Sequence, residues 1–187
     1  MTISLFLDSN IWNFLYDRKL DLSVELPSTE FTLYITREAE FEFPTNENMK
    51  EQKQFIEETI HKHPIHTDAY FSFFNETYPM DKQRGAGFDQ GRFISQDELS
   101  FIRSQSLKNR TGADRPTGLH KHEADVSLAA RSFHHIVLTN DKNSTPIKDA
   151  LKEGGKIIFL NDFDNSGLSL REFIMKQLEP ATQVEAI

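Results

Sequence analysis

Several carboxylates in this 187-residue chain fall where hydrolytic chemistry would need them. Asp8 follows directly on the apolar run Ile3-Ser-Leu-Phe-Leu7, and Asp141 closes Val137-Leu-Thr-Asn-Asp141. Glu38 and Glu42 come after Phe31-Thr-Leu-Tyr-Ile35, four residues apart and so on one face of a helix. Asp125 opens a segment whose apolar side includes Val126, Ala129 and Ala130, with Glu123 just before it. In an open parallel sheet, groups just beyond the carboxyl ends of the strands gather over one crevice. Carboxylates crowded there repel one another unless a cation lies between them, and an all-oxygen set suits Mg²⁺ or Mn²⁺. Ser9, Asn10, Thr139 and Asn140 flank Asp8 and Asp141 and are placed to orient the carboxylates or a water.

Each of these residues also has a plainer reading. Asp8 suits the N-cap of the helix that follows it, and Asp141 suits a polar turn, Asn140-Asp-Lys-Asn143. Glu38, Glu42 and Asp125 would favour a helix N-terminus by charge alone. The set taken in order is what points to a site.

Strands and helices alternate along the chain to position these groups. Strands are expected at 3–7, 31–35, 135–139 and 156–160. Helices are expected from Ile11 through Tyr16, from Thr36 to Phe43, over 47–62 with Phe55, Ile56 and Ile60 buried, and from a capping box at Ser95-Gln-Asp-Glu98 to Leu107. Three more follow: His120 to Phe133; one capped by Ser144 or Thr145 with Pro146 in its first turn and ended by Gly154-Gly155; and Ser169 to Leu178. Strands separated by helices imply crossovers and a mostly parallel sheet, so the fold class is α/β.

Composition narrows the functions. The chain has no cysteine, which excludes disulfides, Cys-ligated zinc, Fe–S clusters and a Cys nucleophile. His61, His63 and His66 cluster, but Pro64 interrupts them and they do not share a helix face, so they do not read as a zinc site. The aromatic run Tyr70, Phe71, Phe73, Phe74 and Tyr78 reads as core in preference to a base-stacking surface. Gly85-Ala-Gly87 lacks the strand-before, helix-after setting of a phosphate-binding loop and reads as a flexible connection. No apolar run is long enough to span a membrane and no secretory leader is evident, so a cytoplasmic protein is expected.

Leu5-Phe-Leu-Asp8-Ser-Asn10, Ile35-Thr36 through Glu42, Glu123-Ala-Asp125-Val-Ser-Leu-Ala-Ala130 and Val137-Leu-Thr-Asn-Asp141 together resemble the PIN domain. The resemblance covers about residues 2–43 and 119–165. It implies a single domain over 1–187, a three-layer α/β/α fold with a mostly parallel sheet, and an extended helical and loop insertion at about 44–118. It implies a metal-dependent endoribonuclease in which Asp8, Glu42, Asp125 and Asp141 hold one or two Mg²⁺ or Mn²⁺ ions, with Glu38 as an alternative to Glu42 and Glu123 as a further ligand. Many members are toxins of bacterial toxin–antitoxin pairs, so an antitoxin partner and a homodimer are also implied. The rival readings are a flap-nuclease-like enzyme acting on DNA, and a PIN-like binding scaffold without activity.

A net charge of −8 is unsuited to a protein that coats nucleic acid. Residues 81–121 reverse the sign: eight basic against five acidic residues leave that segment at +3 and the remainder at −11. Arg103, Arg110, Arg115 and Lys121 within it are the expected RNA contacts, since phosphate contacts supply most sequence-independent affinity. Replacing Arg103, Arg110 and Arg115 together with Ala is expected to weaken RNA binding and flatten the slope of log K against log salt by roughly 2, leaving Mn²⁺ affinity unchanged. RNA titrations across a salt series, in Ca²⁺ to prevent cleavage, check this. An unchanged affinity and slope would remove the segment from the RNA interface.

Overall fold

The run Ile3–Leu7 forms β1, the central strand of a computed structural model whose described residues are 2–42, 50–108 and 119–179. Its alternation sets the layering: Leu5 and Leu7 enter one apolar core and Phe6 the other. The remaining strands are β2 (Phe31–Thr36), β3 (Ile65–Asp68), β4 (Ile136–Thr139) and β5 (Ile157–Phe159), in the sheet order β3-β2-β1-β4-β5. Every pairing is parallel, so each connection crosses over through helix.

The helices are α1 (Ile11–Arg18), α2 (Leu22–Glu25), α3 (Arg37–Glu40), α4 (Lys50–Lys62), α5 (Gln96–Lys108), α6 (Glu123–Arg131), α7 (Thr145–Lys152) and α8 (Leu170–Leu178). Helices α1, α2, α4 and α8 bury Trp12, Phe14, Leu22, Ile56 and Phe173 against Leu5, Leu7 and Leu33. On the opposite face α5, α6 and α7 bury Phe101, Leu128, Ala129, Ile147 and Ala150 against Phe6 and Val137. The small side chains Ala129 and Ala130, both wholly buried, bring α6 close to the sheet. This three-layer α/β/α arrangement around a parallel sheet is the α/β class expected from the sequence.

Three local features depart from expectation. The helix expected from Thr36 to Phe43 is a single turn, α3, capped by Thr36 Oγ1, which accepts from the Ala39 N–H at 3.2 Å. Ile65–Asp68, to which the sequence reading assigns no element, forms β3 and pairs with Leu33 through Thr36. An edge strand contacts the core on one side only, and Ile65-His-Thr-Asp68 carries a single large apolar residue, too few to show a period of two. His63, beside it, is buried with Nε2 2.7 Å from the Leu26 carbonyl oxygen, so it packs the core.

The third departure overturns the core assignment of the aromatic run. Phe73, Phe74, Phe88 and Phe93 are 78, 58, 76 and 81% exposed, and half-buried Phe71 meets Phe73, Phe88 and Phe93 edge-on or tilted, at centroid distances of 4.9–5.5 Å. Short backbone bridges, Tyr70 to Arg92 and Phe71 to Ala86, hold this segment together. A Cβ at Gly91 would lie 2.7 Å from Phe71 Cα and from the Ala86 carbonyl oxygen, so only glycine permits that approach.

What ties this segment to the domain is ionic. Arg131, wholly buried, donates from Nε to Asp68 Oδ2 at 2.9 Å and from Nη1 to the Ser127 carbonyl and hydroxyl oxygens. Arg92 donates from Nε to the other Asp68 oxygen and grips Glu98 with both terminal nitrogens, at 2.9 and 2.5 Å. Both guanidinium groups stack on Tyr70. Burial pushes the Glu98 carboxyl up, but the bonds from Arg92 and Ser95 outweigh it and bring it down to about 2. Asp68→Ala would leave Arg131 buried without its carboxylate and is expected to destabilise the fold by about 3–5 kcal/mol, with Asp68→Asn losing less. Urea denaturation of the three proteins measures this. A loss under about 1 kcal/mol for the Ala variant would show that the network is not structural.

Candidate active site

In this strand order the chain leaves β1 toward β2 on one side and later returns to β4 on the other, so the sheet's switch point lies between the carboxyl ends of β1 and β4. Asp8 is there. Its N–H donates to the Leu138 carbonyl at 3.0 Å, continuing the ladder by one residue. Its side chain does not cap α1: the N-cap position is Asn10, and no side-chain capping bond is made. The carboxylate is turned into the protein, with the residue only 7% exposed.

Sequence neighbours hold it in place. Asn10 Nδ2 donates to Asp8 Oδ2 at 2.6 Å, and Thr139 Oγ1 donates to the same oxygen at 2.5 Å. Thr139 Oγ1 in turn accepts from the Asp141 N–H at 3.0 Å, and Asn10 Oδ1 accepts from the Asn140 N–H at 2.9 Å. Asn10, Thr139, Asn140 and the Asp141 backbone thus form one lattice that clamps the ends of β1 and β4 around a single carboxylate. Burial raises the pKa of Asp8, the Thr139 bond opposes this, and the nearby Asp125 and Glu42 carboxylates raise it further, to about 6.

Two of the expected partners therefore come within electrostatic reach of Asp8. Glu42, just after α3, accepts from Ser9 Oγ at 2.8 Å, and Ser9 Oγ lies 3.5 Å from Asp8 Oδ1. Asp125, in the first turn of α6, has Oδ2 3.3 Å from His122 Nδ1. Asp141 spends Oδ1 on its own turn, accepting from the N–H groups of Asn143 at 2.7 Å and Ser144 at 3.2 Å. Glu38 is buried elsewhere on the face of α3, with Oε2 accepting from Ser127 Oγ at 2.6 Å. Glu123 pairs with Arg84 at 2.9 Å and accepts from the His120 N–H. Of the expected RNA contacts, Arg103 on α5 and Lys121 before α6 are exposed, while Arg110 and Arg115 lie outside the described residues.

Three neighbours of the acidic residues were not singled out in the sequence: Ser127, Arg84 and the contact of His122 with Asp125. The i, i+3 spacing of His122 and Asp125 is a signal for that contact, although His122 adopts a left-handed φ of 64°. Arg84 and Glu123 are far apart in sequence and carry no such signal. The carboxylates at the crevice offer oxygen ligands of the kind a hard divalent cation takes, with the His122 nitrogen beside Asp125, and a cation would relieve the repulsion at Asp8. As the side chains stand, no three Asp, Glu or His groups among the described residues are placed to hold one ion.

The protein is thus a parallel α/β/α domain with Asp8 at the switch point and the Glu42 and Asp125 carboxylates near it. Solved structures similar to it include VapBC2 from Rickettsia felis bound to a DNA fragment from its promoter, at 11% identity over 84% of this chain and 98% of that chain, with a TM-score of 0.47. VapBC-1 from nontypeable Haemophilus influenzae is similar at 11% identity over 85% and 99% of the two chains, with a TM-score of 0.41. No family model and no curated protein matches the sequence.

The folded protein holds the Asp8 proton more tightly than an unfolded chain, whose Asp titrates near 3.8. Stability contributed by this group is therefore full below about pH 4 and is lost as pH rises through about 6. In chelator, Asp8→Asn is expected to stabilise the protein at pH 7 by roughly 2–3 kcal/mol and to flatten the pH 4–7 part of its stability curve. Denaturation across that range checks the sign. A variant less stable than wild type at pH 7 would show that Asp8 is not under electrostatic strain.

Proposed function

We propose that this protein is a PIN-type endoribonuclease that hydrolyses phosphodiester bonds in single-stranded or looped RNA with the help of Mg²⁺ or Mn²⁺. The observation that carries this reading is the buried carboxylate of Asp8 at the switch point, near Asp125 and Glu42, with no cationic side chain of the described residues among its hydrogen-bond donors. Two carboxylates beside a third that is buried repel it, and a bound cation would relieve that repulsion. Asp8, Asp125 and Glu42 would hold it, with Asp141 contributing from the adjoining strand end. A bound divalent cation would lower the pKa of a water and offset charge on the phosphate and leaving oxygens. Asn10 and Thr139 keep Asp8 aimed by bonding the same oxygen, and Ser9 links Glu42 to that cluster. RNA approaches along the basic segment that includes Arg103 and Lys121. In a toxin–antitoxin setting, the partner would be an antitoxin that seats a basic side chain in the acidic crevice. No helix among the described residues is long and apolar enough to cross a membrane.

Asp8→Asn and Asp125→Asn are each expected to lower RNA cleavage by about 100-fold or more, and EDTA to abolish it, with Mn²⁺ restoring it. Mn²⁺ at about 100 times its Kd should stabilise wild type by roughly 2.7 kcal/mol, an effect that Asp8→Asn removes. RNA and DNA oligonucleotides assayed side by side, together with melting curves, decide the matter. Cleavage at wild-type rate by both variants, or in chelator, would sink the assignment. Cleavage of DNA in preference to RNA would favour the flap-nuclease reading, and absence of both cleavage and Mn²⁺ stabilisation the inactive scaffold.

A further inference from the structure

The segment between β3 and α5 holds large apolar side chains out in water. Phe73, Phe74, Met80, Phe88 and Phe93 are each more than half exposed, and Phe71 joins Phe73, Phe88 and Phe93 into one face. Beside it Phe73, Phe74 and Met80 line a cleft of about 520 Å³ that Arg37 and Glu40 also line. The backbone beneath is pinned. The Phe71 N–H donates to the Arg92 carbonyl at 2.7 Å, the Ser72 N–H donates to the Ala86 carbonyl at 3.0 Å, and Arg92 is fixed on Asp68 and Glu98. Covering these exposed side chains would bury roughly 600 Å² on this protein, close to the about 800 Å² per partner of a stable interface.

Charge decides what could cover the face. Between residues 70 and 100 the exposed charged side chains are Glu76, Asp81, Asp89 and Asp97, all of them acidic. Glu76 lies two residues after Phe74, Asp81 follows Met80 and Asp89 follows Phe88. None of these carboxylates forms an ion pair among the described residues. The cations of the region are engaged within the fold. Arg37 pairs with Glu40, Arg84 with Glu123 at 2.9 Å, and Arg92 with Asp68 and Glu98, while Lys82 Nζ lies 4.9 Å from the centre of the Phe41 ring.

An aromatic face whose exposed charges are all negative repels the phosphates of RNA and the headgroups of an anionic membrane. A second copy would set the same carboxylates against each other, in a protein already at −8. A polypeptide with lysine or arginine among large apolar side chains meets both features. Its apolar groups would cover the rings, and its cations would reach carboxylates and ring faces. We propose that the aromatic face of residues 70–93 docks such a cationic, apolar segment of another protein. The segment between β3 and α5 supplies none of Asp8, Glu42, Asp125 or Asp141, so the docking face is separate from the acidic crevice and does not depend on the nuclease reading.

The test selects peptides from a random library displayed on phage against the full-length protein, then titrates the enriched peptides by fluorescence anisotropy. They are expected to combine large apolar residues with net positive charge and to bind less tightly as salt rises. Phe73→Ser, Phe88→Ser and Phe93→Ser combined should weaken binding by about 10-fold or more. Glu76→Gln with Asp89→Asn should weaken it by about 3-fold or more, asparagine being tolerant of the left-handed φ of 63° at position 89. Both variants should melt at the wild-type temperature, because the replaced side chains are exposed. Failure to enrich any peptide, enrichment of acidic or uncharged ones, or equal binding to the triple variant overturns the proposal. Three further results would overturn it by assigning the face elsewhere. A dimer in analytical ultracentrifugation that the triple variant dissolves assigns it to a second copy, loss of RNA binding in that variant assigns it to RNA, and a lowered melting temperature assigns it to the protein's own chain.

Discussion

Asp8 lies at the end of the central strand, buried, with two other carboxylates in electrostatic reach, and much of the surrounding structure follows from keeping it there. A lone ionised carboxylate in such a place would take up a proton or turn toward water. Here Asn10 and Thr139 both donate to one of its oxygens, and each is itself fixed by backbone from the neighbouring strand end. The bonds keep the group aimed without neutralising it. The cost of burial is thus concentrated at one carboxyl, whose proton affinity is raised.

The opposite arrangement holds the outer part of the domain. Asp68 and Glu98 are paired with Arg131 and Arg92, and both guanidinium groups rest on Tyr70. Every charge in that network has a partner, so burial is tolerated and the Glu98 carboxyl stays ionised. The network joins β3, α5 and α6 and forms the floor on which the segment of residues 70–93 is laid. That segment then exposes Phe73, Phe88 and Phe93 around Phe71, an apolar surface of the kind that normally meets another molecule. The two acidic clusters thus differ: the carboxylates around Arg92 and Arg131 are gripped by guanidinium groups, whereas Asp8 is held by an amide and a hydroxyl.

A cavity lined by residues of α5 and α6, with Glu38 and Tyr70, lies beside the two. Tyr70, stacked on by the arginines, forms one of its walls, while Val126 and Ser127 separate it from the crevice. Glu38 is tied to Ser127 and faces the cavity, whereas Glu42 faces Asp8, so two carboxylates four residues apart belong to different surroundings.

Much of this was legible in the sequence because the signals are local. The run before Asp8, the Thr-Asn-Asp turn after β4, the capping boxes at Ser95 and Ser169 and the small-residue face of α6 depend on residues a few positions apart, and strand and helix periods reveal them directly. Asn10 and Thr139 were also legible, since residues flanking the carboxylates at two strand ends have few other groups to meet. Tertiary structure alone decided the rest. β3 is an edge strand whose identity comes from pairing with β2, so its own residues carry almost no pattern. The aromatic run reads as core by composition, but burial requires an element to pack against, and the Arg92–Asp68–Arg131 network takes that place. Glu38 and Glu42 share a helix-like spacing, but α3 ends at Glu40, so the two side chains part company. Spacing along the chain determines which groups can share a face; only the neighbouring elements determine what that face meets.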